Sequence, residues 1–243
     1  MSKVKMLKVI DKTDSYYTKI PKFFDLPMKI LINGKSQLSG KSTTILNLLL
    51  NEDFPYHKLF EGDDIYIVSN NKLDNKVKIL VDVKEIPLTN IMSYNEAELE
   101  TLYEELEDKF MEETMDGGKP NNRIIIFDDV GYSGNLKNKQ FGIVTKMIAN
   151  GRHLNLSQIY TSQRFSMVNT TLRTNITGAI LYSTSLKELE LIADDMNYLD
   201  SKRKFIKLFR EATKEKHSFL VVRFSGDPNE LYLNSNFEPI QIK

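Results

Sequence analysis

Unbroken apolar runs of strand length recur along the chain and alternate with segments of helical periodicity. Met28–Asn33 (MKILIN), Asp64–Ser69 (DIYIVS), Ile124–Phe127, Leu156–Ser162, Gly178–Ser183 and Phe219–Phe224 read as strands, and Ile79–Val83 as another. Thr43–Leu50, Lys137–Asn150, Ser185–Asn197 and Ser201–Lys216 read as helices, with a short helical turn at Thr170–Asn175. Ser93-Tyr-Asn-Glu96 fits a capping box, which pairs a side-chain acceptor with a carboxylate three residues on. An acidic amphipathic helix follows it to about Thr114, and Gly117-Gly118-Lys119-Pro120 stops that helix. Strands that are apolar on both faces, set between helices, predict an α/β fold with a mostly parallel β-sheet sandwiched by helices. No internal repeat or Pro/Gly/Ser linker divides the chain, so residues 1–243 read as one domain. Within it, residues 1–27 read as an extended lead-in and residues 198–243 as a basic helix plus terminal strands.

Composition removes several chemistries. The chain has no cysteine, which excludes disulfides, thiolate metal sites and cysteine nucleophiles together. Its three histidines, His57, His153 and His217, are far apart in sequence, which argues against a histidine-based metal site. No apolar run is long enough for a membrane span or a signal-peptide core, so a soluble, reducing compartment and no membrane partner are expected. The 33 basic and 33 acidic side chains balance, which argues against a chain that merely coats nucleic acid.

The balance hides an asymmetry. No Asp or Glu occurs from Ser133 through Lys187, while Lys137, Lys139, Lys146, Arg152, Arg164, Arg173 and Lys187 do. Lys202, Arg203, Lys204, Lys207, Arg210, Lys214 and Lys216 form a second basic cluster, opposed by Glu211 and Glu215. The opposite sign sits on the 96–116 segment, where Lys109 is the sole cation among its carboxylates. Basic groups without matching carboxylates suit a surface that tracks a phosphate backbone and does not read bases.

The strongest motif is Gly34, Lys35, Ser36, Gln37, Leu38, Ser39, Gly40, Lys41, Ser42 and Thr43, between a strand and a helix. A glycine-rich turn points backbone N–H groups at an anion, and the helix N-terminus adds positive potential. Lys41 would reach the β- and γ-phosphates of ATP, and Ser42 would offer a hydroxyl to Mg²⁺. The usual spacing puts the first glycine at position 35; here it is Lys35, so either the loop is one residue longer or Gly34 makes the turn from one step back. The run Arg123–Phe127 ends in Asp128-Asp129: Asp128 as the metal-side carboxylate, Asp129 to orient or deprotonate the attacking water. Gln163, at the tip of the Leu156–Ser162 strand, can hydrogen-bond that water and the γ-phosphate. The loop and the twin aspartates are expected to meet at neighbouring strand tips. Gly131-Tyr132-Ser133-Gly134 directly follows the carboxylate strand and suits a loop that moves between nucleotide states.

These elements resemble the FtsK/HerA superfamily of DNA-pumping P-loop ATPases (a RecA-like fold), with Gly34–Thr43, Ile124–Asp129 and Asn150-Gly-Arg-His-Leu-Asn-Leu-Ser-Gln-Ile-Tyr-Thr-Ser-Gln163 in the family's order. Gly151-Arg-His-Leu-Asn155, the Gln163 strand and Leu172-Arg-Thr-Asn175 are similar to the poxvirus-type genome-packaging ATPases of large DNA viruses and virophages, over roughly Met28 to Asn197. Asp at 129, where many related ATPases carry Glu, is a departure. The resemblance implies an ATP-driven motor that threads double-stranded DNA into a preformed capsid, working as a homo-oligomeric ring, a hexamer or pentamer, at a capsid or portal vertex protein. It implies a place in the virion or the host cytoplasm, and an arginine donated across the subunit boundary. Arg152 is the first candidate, read as lying next to the nucleotide edge of the sheet, followed by Arg173 and Arg164. A HerA-like helicase or conjugative DNA pump is the alternative within enzymes; a small-molecule kinase would need an Arg-rich lid that the sequence lacks, and Asp128, Asp129 and Gln163 together argue against a non-hydrolysing regulator.

Overall fold

The computed structural model describes residues 16–35, 39–71, 74–129, 142–225 and 227–241. In chain order the elements are β1 (Lys29–Asn33), α1 (Lys41–Leu50), β2 (Ile65–Ser69), α2 (Asn75–Lys84), β3 (Ile91–Met92), α3 (Glu96–Thr114), β4 (Arg123–Asp128), α4 (Ile143–Asn150), β5 (Leu156–Ser162), α5 (Thr170–Asn175), β6 (Gly178–Tyr182), α6 (Leu186–Met196), α7 (Lys202–Ala212), β7 (Phe219–Arg223) and β8 (Tyr232–Leu233). The eight strands form one sheet in the order β3-β2-β4-β5-β1-β6-β7-β8. It is parallel from β3 through β6, and β7 and β8 add antiparallel at one side.

The parallel strands other than the short edge strand β3 are buried along nearly their whole length because both faces are covered. Successive residues alternate between two cores: Ile30 and Ile32 pack toward α1 and α2, whereas Leu31 packs toward the row of α3 to α7. The chain leaves β1 for strands on one side and reaches β6 on the other. The carboxyl ends of the strands beside β1 are therefore where a sheet of this kind opens a crevice.

Several sequence expectations are corrected. Ile79–Val83 is not a strand but part of α2: Asp74 accepts a hydrogen bond from the Lys76 N–H as N-cap, Val77 and Leu80 point inward, and Ile79 and Val83 are 47% and 61% exposed. A short apolar run reads the same in either period, and the cap one turn upstream decides it. The strand on that side is the two-residue β3, paired with β2. The cap of α3 is Asn95, whose side chain accepts from the N–H groups of Ala97 and Glu98, and not Ser93. The described part of the lead-in is folded, not extended: Thr18 and Leu26 exchange hydrogen bonds at 2.9 Å, and Phe24 and Leu26 are buried in the α1–α2 core. Helix α4 begins at Ile143; the Lys137–Phe141 part of that expectation lies outside the described residues. Helix α4 ends at Asn150 with Gly151 as its C-cap, as its sequence position suggests, in a right-handed conformation at φ −55°; the left-handed residue is Asn155, at φ 52°. Gly151 is needed for closeness instead, because a Cβ there would meet Gln158 Nε2 at 2.3 Å. Helix α7 stops at Ala212, four residues short of the expected end.

Candidate functional site

Strand β1 delivers the glycine-rich loop to the N-terminus of α1. Gly34 is required for close approach: a Cβ there would sit 2.6 Å from Ser39 Cβ and 2.7 Å from Tyr182 Cβ. Gly40 precedes α1 at φ 89°, a conformation that glycine alone adopts without strain. No side chain caps α1, so its first N–H groups remain free to meet an anion. Lys41 is buried and donates to the carbonyls of Gly34 at 2.7 Å and Lys35 at 3.4 Å, across the mouth of the loop. Burial lowers its pKa, against the opposing pull of Asp129 and Asp128, and Lys76 lowers it further. Ser36, Gln37 and Leu38 lie outside the described residues, as does the Gly131–Gly134 loop.

The twin aspartates end β4, but β4 does not neighbour β1. Strand β5 lies between them, so the expectation of adjacent strand tips is corrected. The intervening strand joins the motifs. Thr161 Oγ1 donates to Asp128 Oδ1 at 2.9 Å and accepts the Asp129 N–H at 2.7 Å. Gln163 Nε2 donates to Asp129 Oδ2 at 2.7 Å. Asp129 sits at φ 52°, a strained position for an aspartate that these bonds hold. Burial raises the pKa of Asp128; the Thr161 bond opposes this, while Asp129 and Asp74 add to it.

Ser39 to Thr44, Asp128 and Asp129 line one cleft of about 740 Å³. Its other walls come from Asn70, Asn71, Asp74 and Lys76 after β2, and from Tyr182, His217 and Phe219 at the β6–β7 side. Among the described residues no cluster of three or more His, Asp or Glu is arranged to hold a metal. A Mg²⁺ that keeps its waters and takes one or two protein oxygens needs no such cluster.

The three arginines fare differently. Arg152 precedes β5, at the end of the sheet away from the loop, so the expectation that it lies next to the nucleotide edge is corrected. It stands beside Lys29, the first residue of β1, whose pKa burial and then Arg152 lower. It is exposed, and its nearest side-chain partner is His153 Nε2 at 3.4 Å. Arg173 is tied to Asp195 and stacked over Phe165, which fits a structural role. Arg164 follows Gln163 directly and is exposed at the nucleotide end.

Thr161 and Lys76 escaped the sequence reading. Thr161 carried a signal, because residues two apart on a strand share a face and Gln163 was already singled out. Lys76 carried none, since one lysine in the first turn of a helix is ordinary.

The profile of a family described as Poxvirus A32 protein matches residues 19–227. No curated protein matches the sequence. Among solved structures, the genome packaging NTPase B204 from Sulfolobus turreted icosahedral virus 2 in complex with ATP-gammaS is similar at TM-score 0.53 and 18% identity, over 82% of this chain and 93% of that one. The same protein in complex with sulfate is similar at TM-score 0.54 and 15% identity, over 82% and 92%. B204 described as the DNA-packaging ATPase of Sulfolobus turreted icosahedral virus is similar at TM-score 0.52 and 17% identity, over 82% and 93%. At these identities the likeness is one of fold. Among the described residues, no helix is long and apolar enough to cross a membrane.

Proposed function

The chain belongs to the Poxvirus A32 protein family, and from that premise we propose that it is an ATP-driven motor that packages double-stranded DNA of a viral genome into a capsid, each subunit a single ATPase domain. The observation that carries the proposal is the convergence of Lys41, Ser42, Asp128 and Asp129 on one cleft, with Gln163 bonded to Asp129 at 2.7 Å.

The α1 N–H groups and Lys41 would bind the phosphates. The Ser42 hydroxyl and the Asp128 carboxylate, two hard oxygen donors on the same cleft, fit Mg²⁺. Mg²⁺ bound there would neutralise charge on the β- and γ-phosphates. Asp129, held by Gln163, would orient a water toward the γ-phosphorus and take its proton as the bond to ADP breaks. Because Gln163 touches Asp129 directly, loss of the γ-phosphate is felt at the tip of β5. Arg152 is the candidate finger from a neighbouring subunit in a homo-oligomeric ring. Its exposure and its distance from its own loop are what an arginine acting across a boundary requires. Arg203, Lys207 and Arg210 are exposed on α7 with no ion-pair partner among the described residues, which supports contact with a phosphate backbone. Membership of the family supports a capsid vertex protein as partner and the virion or host cytoplasm as location.

ATPase activity of the purified protein, with and without long duplex DNA, tests this. DNA is expected to raise the rate at low salt and to lose that effect as salt rises. Lys41→Ala or Asp128→Ala is expected to lower turnover by about 10²- to 10³-fold, as when one charge-stabilising group is deleted. Intact hydrolysis in either variant would discard the site, and indifference to DNA would discard the motor.

A further inference from the structure

The cleft continues beyond the phosphate-binding loop to a wall that the hydrolysis chemistry leaves unused. Tyr182 ends β6, Phe219 begins β7 and His217 lies in the connection from α7, and all three line the same cleft as Ser39 to Thr44. Their direction matters. Strands β6 and β7 flank β1 on one side, and β4 with its aspartates stands on the other. A triphosphate whose γ end rests at Lys41, Ser42 and Asp128 therefore carries its nucleoside toward this wall.

The wall is rigid. The Phe219 ring meets Tyr182 edge-on at 5.3 Å between centroids and Phe237 at 6.3 Å. The Phe219 N–H donates to Ser235 Oγ at 2.8 Å, and Ser235 Oγ donates back to the Phe219 carbonyl at 3.2 Å. The Tyr182 hydroxyl is bonded to Thr44 Oγ1, which fixes the aromatic wall to the helix that carries the loop. His217 is held at φ 66°, a left-handed conformation that a side-chain-bearing residue adopts at a cost. The turn behind it is closed by the Ser218 N–H and hydroxyl, which donate to the Glu215 carbonyl at 3.1 and 2.7 Å. The imidazole faces the loop: a Cβ on Gly40 would stand 3.9 Å from His217 Nδ1 and 3.7 Å from the Tyr182 hydroxyl.

We propose that His217 and Phe219, backed by Tyr182, form the subsite that receives a purine base and gives the site its preference among nucleoside triphosphates. The proposal rests on the ATPase reading and adds to it the residues that read the base. An exposed imidazole and an ordered aromatic ring offer stacking surface to a base, and a purine presents more π-face than a pyrimidine.

Calorimetric affinities for ATP, UTP and inorganic triphosphate, each with Mg²⁺, separate the two ideas. The wild-type protein is expected to bind ATP more tightly than UTP. His217→Ala and Phe219→Leu are each expected to weaken ATP about 10- to 100-fold, the usual worth of one stacked base. Both should bring ATP and UTP together and leave inorganic triphosphate as in the wild type. His217 is exposed, so its variant tests the subsite without disturbing the core. Unchanged ATP affinity in both variants, or equal losses of ATP and inorganic triphosphate, would overturn the base subsite and leave the phosphate site standing. A wild-type protein that binds neither ATP nor inorganic triphosphate would overturn the ATPase reading, and this subsite with it.

Discussion

Thr161 shows how much one hydroxyl can organise. It donates to Asp128 and accepts from the backbone of Asp129, so the two carboxylates proposed to serve the metal and the water share one positioning residue. Thr161 is itself fully buried. Removing its hydroxyl leaves the Asp129 N–H and one Asp128 oxygen without that partner, in surroundings where Asp128 is already pushed toward the neutral form by burial. Thr161→Val keeps the shape and deletes both bonds. It is expected to lower kcat by about 10- to 100-fold, the usual effect of losing a group that orients a metal ligand. Thr161→Ser should restore most of the rate. Steady-state hydrolysis across the wild type and both variants checks this; a serine variant as slow as the valine variant would mean that the methyl packing matters and the hydroxyl does not. The sequence displayed Gln163 and the aspartates as separate motifs. That Gln163 and Thr161 both bond to the aspartates was not readable, because the register of β5 against β4 is not written in either strand alone.

At the scale of elements, β4 is anchored at the end opposite its aspartates. Arg123 opens the strand, nearly fully buried, with its Nε 3.1 Å from Asp64 Oδ1 and its Nη2 on Glu113. The Asp64 contact is an ion pair without hydrogen-bond alignment at Nε. The triad ties the start of β2, the end of α3 and the start of β4 together. Burial raises the pKa of Asp64 in spite of the opposing guanidinium. Arg123→Met therefore leaves a buried carboxylate without its cation, a change that costs about 3–5 kcal/mol when a buried pair loses one partner. The sign with pH follows from the raised value. An Asp whose folded pKa exceeds its unfolded value contributes stability below the unfolded value and loses it as pH rises through the folded one. The deficit of Arg123→Met relative to the wild type should thus be full at neutral pH and narrow as pH falls through the carboxylate range. Urea unfolding at a series of pH values measures it; a deficit that widened in acid would reject the account. The helix-or-strand ambiguity at Ile79–Val83 belongs to this scale too. Its apolar run fitted either period, and its cap at Asp74 and its place over the sheet settled the matter.

For the whole molecule, the sheet order decides which surfaces are available for assembly. Arg152 lies at the opposite end of the sheet from its own loop, so the role proposed for it is toward a neighbouring subunit and not toward its own site. Mixing Arg152→Ala subunits with Lys41→Ala subunits should restore part of the hydrolysis that each lacks alone, measured where mixed rings are shown to form. No restoration under those conditions would remove Arg152 from the boundary. The charge asymmetry also changes at this scale. The carboxylate-free stretch is partly answered by acids from elsewhere, as when Asp195 takes Arg173, and Lys202 and Lys204 of α7 pair with Asp194 and Asp200. The sequence by itself determined most of the strands and most of the helices, and it displayed the glycine-rich loop and the twin aspartates as motifs, because apolar period, caps and motif spacing are local properties of a chain. The tertiary structure alone decided that β5 separates the two motifs, that Thr161 reaches both aspartates, that Arg152 faces away, and that His217 comes beside Gly40. Those facts depend on strand order and crossover, and burial summed over the whole chain fixes them where no local segment can.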